Sequence, residues 1–347
     1  MSVLPPGSDP QVATLDMPAG NGMSSETLLL DVSWLEDGTR VDHALAARVA
    51  PDPANMPVFP TYDLTSQFRI LGTVERLGTV PVPHPYWSEP DKDVIGSPFF
   101  VMARVDGVVP PDVMPYNFGG SWVSEAAPED RARLQHSSVR VLADLHAIEA
   151  PEQTFGFLEL DRPEPTPLRR HVASQWDYYQ WAGDGVIRSP LIERGFAWLE
   201  DNWPAEEGPA VLAWGDARIG NMMYRDFEPV AVLDWEMAAL APREIDLAWF
   251  IYLHRFFEDI ANKYGLPGMP DFLRRDDVVA AYESMSGHQP RDLDFYFTYA
   301  ALRYAIVSIR TARRQVHFGE IPMPDDVDDL LMNRPALEAM LAGTYWA

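Results

Sequence analysis

The chain has no cysteine among its 347 residues. Disulfides, thiolate metal sites and a cysteine nucleophile are therefore excluded. A zinc site would have to come from histidine and carboxylates, but the eight histidines are scattered and none stands in H-E-x-x-H spacing. Basic residues are few: 27 Lys and Arg against 52 Asp and Glu, a formal net charge of -25. A surface this acidic repels nucleic acid and anionic lipid. It would attract a cationic substrate, but acids spread along the whole chain read more simply as solubility. No apolar run approaches the ~20 residues needed to cross a bilayer. The opening MSVLPPGSDP lacks a basic region followed by an apolar run, so no signal peptide is expected and a cytoplasmic location is. A G-x-S-x-G elbow is missing too, which removes an acyl hydrolase. No internal repeat, heptad array or low-complexity tract is visible.

What is present reads as globular, with 47% hydrophobic and 23% charged residues. The length allows two lobes. Strands are expected at 12–17, 26–34 and 44–50, the second from its alternation of Leu28, Leu30, Val32 and Trp34. A small, glycine-bearing stretch, 19–25, separates the first two. Apolar spacing at Leu64, Phe68, Leu71 and Val74 predicts a helix over 62–77, and strands follow near 83–87 and 98–105. The remainder is mainly helical, with helices expected at 128–148, 167–182, 190–202, 243–260, 276–285, 291–315 and 334–342. The fold class is α+β, with a small antiparallel β-rich lobe with one helix over 1–104, including the hinge, and a larger helical lobe over 105–347.

The segment from Trp214 to Glu236, WGDARIGNMMYRDFEPVAVLDWE, interrupts the helices. Two short apolar runs flank a turn and form a candidate hairpin. Such a hairpin brings Asn221 and Asp234 to neighbouring strand ends, with Asp216 facing them across a loop. Two oxygen ligands beside a free carboxylate suit magnesium and a proton acceptor. The D-x-x-x-x-N spacing is that of the protein-kinase catalytic loop. Upstream, the 19–25 loop could offer backbone N–H groups to phosphates, and Arg48 could reach a phosphate bidentately.

These features together, with segments such as GMSSETLLL, FPTYDL, PFFVM, WGDARIGNMMY and VAVLDWE, resemble the aminoglycoside phosphotransferase family, which has the protein-kinase-like bilobal fold. The likeness runs from about Gly20 past Trp249. It is closest to bacterial members of that family and to the kinase domains fused to some acyl-CoA dehydrogenases. The resemblance implies roles for particular residues. Asp216 matches the catalytic aspartate, and Asn221 and Asp234 match the magnesium ligands. Met23, Ser24 and Ser25 match the loop over the phosphates, and Arg48 the strand residue on the α- and β-phosphates. Phe100, Val101 and Met102 fall where the link between lobes would hold adenine. Asp246 matches a helix acid that braces the catalytic loop. Glu236 would join the metal shell or form a surface ion pair, and Arg218 would anchor its loop. The sequence departs from the family pattern at three positions. Trp214 replaces a largely structural His, Arg48 replaces a Lys, and Gln67 stands where a Glu usually pairs with that Lys.

The implied activity is a magnesium-dependent small-molecule kinase, transferring the γ-phosphate of ATP or GTP to a substrate hydroxyl. Two other readings stay open: a non-catalytic nucleotide-binding pseudokinase, and a kinase of hydroxyacyl or other non-antibiotic metabolites. The expected partner is a small hydroxyl substrate, with no nucleic acid and no membrane. Its cleft would be walled by helices around 167–205 and 250–315, with Trp176, Tyr178, Tyr179, Trp181 and Trp249 as candidates to line it.

Overall fold

The computed structural model describes residues 4–17 and 26–346. The first part is a five-stranded sheet of β1 (Gln11–Asp16), β2 (Glu26–Glu36), β3 (Thr39–Val49), β4 (Pro85–Glu89) and β5 (Phe99–Ala103), in the order β1-β2-β3-β5-β4. Every pairing is antiparallel. The β2–β3 hairpin closes through Asp37-Gly38, both at positive φ, with Glu36 opposite Thr39. Asp-Gly favours that mirror-image turn because its twist matches the strands. β3 starts at Thr39, earlier than its apolar alternation suggests. Polar-flanked Val41 and His43 continue the pairing, and His43 stacks on Trp34 with ring centroids 3.5 Å apart.

Helix α1 (Leu64–Leu77) lies between β3 and β4. Asp63 caps it by accepting from the Ser66 N–H at 2.9 Å, and Gly78 ends it at φ 65°. Leu64, Ile70, Leu71 and Val74 form its buried face. The strap before α1 is fixed to the helical part by three bonds to its carbonyls. Arg310 Nε donates to Pro57 O at 2.8 Å, Arg314 Nε to Asn55 O at 3.1 Å, and the Tyr178 hydroxyl to Val58 O at 3.0 Å.

The sheet ends at Ala103, and Val108 already pairs with Tyr224 on the other side. The chain thus crosses at 104–107. The helical part contains α2 (Pro128–His146), α3 (Pro151–Thr154), α4 (Pro167–Ala182), α5 (Pro190–Asp201), α6 (Glu244–Lys263), α7 (Arg275–Ser286), α8 (Leu293–His317) and α9 (Arg334–Leu341). Proline opens α2 to α5, where its missing N–H costs no intrahelical bond. Between α5 and α6 lie two antiparallel pairs: β6 (Ala210–Ala213) with β9 (Ala239–Pro242), and β7 (Met222–Arg225) with β8 (Glu228–Val232). The β7–β8 hairpin was expected. The β6–β9 pair was not, since four-residue strands carry too little periodicity to read. It frames the segment from Trp214 to Ala238 at both ends. The main core gathers around Trp214, Tyr252, Phe297, Tyr299 and Leu302, all essentially buried. No helix among the described residues is long and apolar enough to cross a membrane.

Candidate active site

The loop from β6 to β7 carries Asp216 and Asn221, and the residues after β8 carry Asp234. Gly215 makes the first turn possible. It sits at φ 89°, and a Cβ there would lie 1.9 Å from the carbonyl oxygen of Met237. Gly220 leaves room for the Asp112–Arg218 pair. A side chain there would meet Asp112 Oδ1 at 2.5 Å and Arg218 Nη1 at 2.6 Å. Asp234 is itself left-handed at φ 62°, a conformation that Asp tolerates better than most residues.

Helix α6 holds the loop with two side chains one turn apart. Asp246, fully buried, accepts the backbone N–H of Trp214 at 2.6 Å and of Gly215 at 2.8 Å. His146 from the end of α2 lies 3.1 Å from the same carboxylate, and its other ring nitrogen lies 2.8 Å from the Tyr282 hydroxyl. The carboxylate can only accept, so Nε2 carries the proton here and Nδ1 accepts from Tyr282. Three residues after Asp246, Trp249 donates its indole N–H to Asp216 Oδ1 at 2.7 Å. The Trp249 ring in turn lies under the guanidinium of Arg303 from α8, 4.5 Å from its centroid, and Arg303 Nη2 donates to Gly215 O at 2.9 Å.

Asp216 has further partners. Asn221 Nδ2 donates to its Oδ2 at 2.7 Å, and Arg218 Nε lies 3.2 and 3.1 Å from the two oxygens. Arg218 also pairs with Asp112. Burial by itself would raise the Asp216 pKa, but Arg218, Trp249 and Asn221 more than offset it and hold the group below the usual carboxylate value. The carboxylate is thus ionised throughout the neutral range. Because the Asn221 amide nitrogen faces Asp216, its oxygen is the atom left for a cation.

Trp214 is fully buried at the start of the loop. Its indole N–H donates to the carbonyls of Leu233 at 2.9 Å and Asp234 at 3.2 Å. That ties the Asp216 loop to the Asp234 segment, a structural task that needs only a buried donor. From the sheet, Arg48 Nη2 reaches Asp234 Oδ1 at 2.9 Å, and Nη1 lies 3.3 Å from the Thr27 hydroxyl. Gln67, buried on α1, cannot neutralise Arg48, which leaves the cation to pair elsewhere. The cation turns instead to the carboxylate across the cleft, which offers a charge where an amide offers only a dipole.

Several expected positions fall elsewhere. Phe100, Val101 and Met102 lie within β5, paired to β3 on one side and β4 on the other. The ladder uses their backbone groups, so the link that could face a base is 104–107. Tyr179 is core: its hydroxyl accepts from Ser189 N and donates to Glu193. Trp176 packs against Phe196 in a groove between α4 and α5, to which the Asp216 loop contributes no wall. Trp249 touches Asp216 itself rather than an open cleft. Trp181 packs under Arg310, whereas Tyr178 both holds the strap and lines a cavity next to Gly215. Burial raises the pKa values of Tyr62 and Tyr178, and the nearby Glu236 carboxylate adds a smaller push in the same direction. Met23, Ser24 and Ser25 lie outside the described residues. Sequence reasoning missed the parts played by Trp249, Asp112, Arg303 and His146. Only Trp249 left a signal, because i and i+3 share a helix face with Asp246.

Among the described residues, no three or more histidines and acids gather as a metal cluster. The oxygens of Asn221 and Asp234 nonetheless fit magnesium. That ion is usually held by one or two carboxylates and completes its shell with phosphates and waters.

The model of the phosphotransferase enzyme family matches residues 38–278. Among curated proteins, the chain is 30% identical over 171 residues to acyl-CoA dehydrogenase family member 11 of Gallus gallus, covering 49% of this chain and 20% of that protein. It is 25% identical over 317 residues to the Mus musculus protein of the same name, covering 89% of this chain and 37% of that one. The chain thus spans well under half the length of these relatives. A crystal structure of a Ralstonia eutropha protein assigned as an aminoglycoside phosphotransferase superposes with a TM-score of 0.65 at 19% identity, covering 98% of this chain and 95% of that one. A thermostable mutant of aminoglycoside phosphotransferase APH(4)-Ia, in a ternary complex with AMP-PNP and hygromycin B, gives 0.55 at 14% identity, covering 96% and 94%. Identities this low speak to the fold alone, and the fold is α+β and protein-kinase-like.

Proposed function

The chain belongs to the phosphotransferase enzyme family, and we propose that it is a magnesium-dependent small-molecule kinase that moves the γ-phosphate of ATP or GTP to a substrate hydroxyl. The observation that carries this reading is the Asp216 carboxylate, kept ionised and gripped through both oxygens, beside Asn221 and Asp234. In this reading residues 1–104 form the nucleotide-binding lobe and 105–347 carry the catalytic loop and the acceptor site. A cytoplasmic setting supplies the nucleotide.

Asp216 accepts the hydrogen bond of the acceptor hydroxyl and aims its oxygen at the γ-phosphorus. The acceptor O–P bond forms as the bond to the β-phosphate oxygen breaks, and the hydroxyl proton passes to Asp216 and then to water. A carboxylate with a lowered pKa is a weak base. It suits a loose transition state, in which the proton leaves late and positioning matters more than abstraction. Asn221 and Asp234 would hold magnesium, which supplies charge neutralisation at the phosphates. Arg48 would transfer from Asp234 to the phosphates when nucleotide enters.

The test is ATP turnover with magnesium and a panel of hydroxyl acceptors, compared between wild type and Asp216→Asn. Turnover that survives the substitution would end the proposal. Nucleotide binding without any turnover would favour a pseudokinase. The dehydrogenase-family relatives favour a second acceptor class, hydroxyacyl thioesters, over antibiotics.

A further inference from the structure

Beside the Asp216 loop lies a cavity of about 260 Å³ with walls from three places. Phe59, Pro60 and Thr61 of the strap close one side. Ser174, Gln175 and Tyr178 of α4 form the opposite side, and Glu236, Met237 and Arg303 form the floor. None of residues 214–221 lines the cavity, but its floor touches that loop at the Gly215 backbone. The Met237 carbonyl presses on Gly215, Arg303 donates to Gly215 O, and Glu236 lies two residues beyond Asp234. The strap is held over the opening by its bonds to Arg310, Arg314 and Tyr178, and Phe59 packs on Tyr178 with ring centroids 5.5 Å apart.

We infer that this cavity is the acceptor subsite, that it takes the hydroxyl-bearing end of a compact, electrically neutral acceptor group, and that residues 59–61 of the strap set its size limit. The inference rests on the phosphotransfer reading and narrows it. Size is the first reason. Pockets for drug-sized ligands run to roughly 300–1,000 Å³, so a cavity of about 260 Å³ matches a compact group better than a whole multi-ring antibiotic. Charge is the second. A polycation needs several facing carboxylates, whereas the cavity offers one acid, Glu236, set against one base, Arg303. His171, which also lines it, is neutral: burial pulls it down to about 3. The third is the remaining polar lining. The Thr61 hydroxyl and the Gln175 amide combine donors with acceptors, and Ser174, whose hydroxyl donates to His171 O at 2.7 Å, adds an acceptor, which matches neutral hydroxyls.

The absence of cysteine makes a direct test possible. Thr61 is exposed, so Thr61→Cys places a single thiol at the rim that a bulky maleimide can block. Labelled ATP and magnesium are then supplied with glycerol, a hexose, a hydroxybutyryl thioester and kanamycin in turn. The expected result is labelling of compact acceptors and not of kanamycin, with at least a tenfold loss of kcat/KM once the introduced thiol is blocked. Phe59→Ala should move the ratio of bulky to compact acceptor use upward by a similar factor. Equal use of kanamycin by the wild type, indifference to the blocked thiol, or ATP turnover with no compact acceptor labelled would each overturn the inference alone. Loss of all Asp216-dependent ATP turnover in the wild type would remove the phosphotransfer reading, and the inference with it.

Discussion

On the helical side of the cleft, Asp216 is gripped by Trp249, Asn221 and Arg218, and its loop hangs from Asp246 by two backbone bonds. On the sheet side, Arg48 reaches across to Asp234 and to Thr27. The Asp246–His146 brace beneath the loop is fully buried, while the Arg218–Asp216 pair above it is part-exposed, at 24% and 15%. The Arg48–Asp234 pair is partly open, at 15% and 20% side-chain exposure, and joins two lobes. A buried carboxylate that satisfies two backbone N–H groups, as Asp246 does, is expensive to remove, while part-exposed ion pairs contribute less. One side is therefore fixed before any ligand arrives, and the other can rearrange around a nucleotide.

Four experiments would break or sharpen that contrast. The largest effect is expected from Asp216→Asn, which should lower kcat by about 10³-fold or more with the fold retained, as checked by circular dichroism. Asp246→Ala should cost roughly 3–5 kcal/mol of stability, read from the denaturant midpoint, because it strands two backbone N–H groups and a histidine in the core. A loss below ~1 kcal/mol would show that the loop does not depend on its brace. Trp249→Phe keeps an aromatic ring for Arg303 but removes the donor to Asp216. It should lower kcat by about tenfold with less change in KM, as one missing hydrogen bond implies. The acid limb of kcat/KM should lie below the ordinary Asp range in the wild type and move upward in this variant, because a donor that favours the carboxylate has been lost. Arg48→Ala should be the mildest for stability, under ~1 kcal/mol, while raising the KM for nucleotide. If Arg48→Ala unfolds the protein and Asp246→Ala does not, the contrast is inverted.

The stability of the helical part also depends on pH. Burial lowers the pKa of His254 to about 4 and that of His171 to about 3. Unfolded histidines titrate near 6.5, so between these values the unfolded chain binds more protons than the folded one. Stability is therefore complete above pH 6.5 and falls with pH below it, by up to ~1.4 kcal/mol per pH unit for each histidine. Denaturation midpoints measured from pH 7 to pH 5 test the sign; a flat profile would mean that both residues take up protons without unfolding.

Local chemistry made much of this legible. Apolar spacing announces α1, and Asp37-Gly38 between two apolar runs announces a turn, from neighbouring residues alone. Asp216 and Asn221 are five residues apart, so their relation is also local. Contacts across long separations left no such mark. Asp112 meets Arg218 from 106 residues away, and Arg48 meets Asp234 from 186. The expectation that Trp176 and Tyr179 line the cleft failed for the same reason. An aromatic residue on an amphipathic helix reads alike whether it faces a core, a groove or a ligand.

The sequence by itself determined the α+β division, the helix and hairpin boundaries to within a few residues, and the acid–amide–acid order of the loop. These follow from backbone propensity and short-range hydrogen bonding, which neighbours in the chain supply. Tertiary structure alone decided that Arg48 pairs with Asp234, that Trp249 serves Asp216, and that the strap forms one wall of a small cavity next to Gly215. Those outcomes depend on which faces of α1, α4, α6 and α8 meet. That is settled by packing the whole core at once, which no single stretch of sequence encodes.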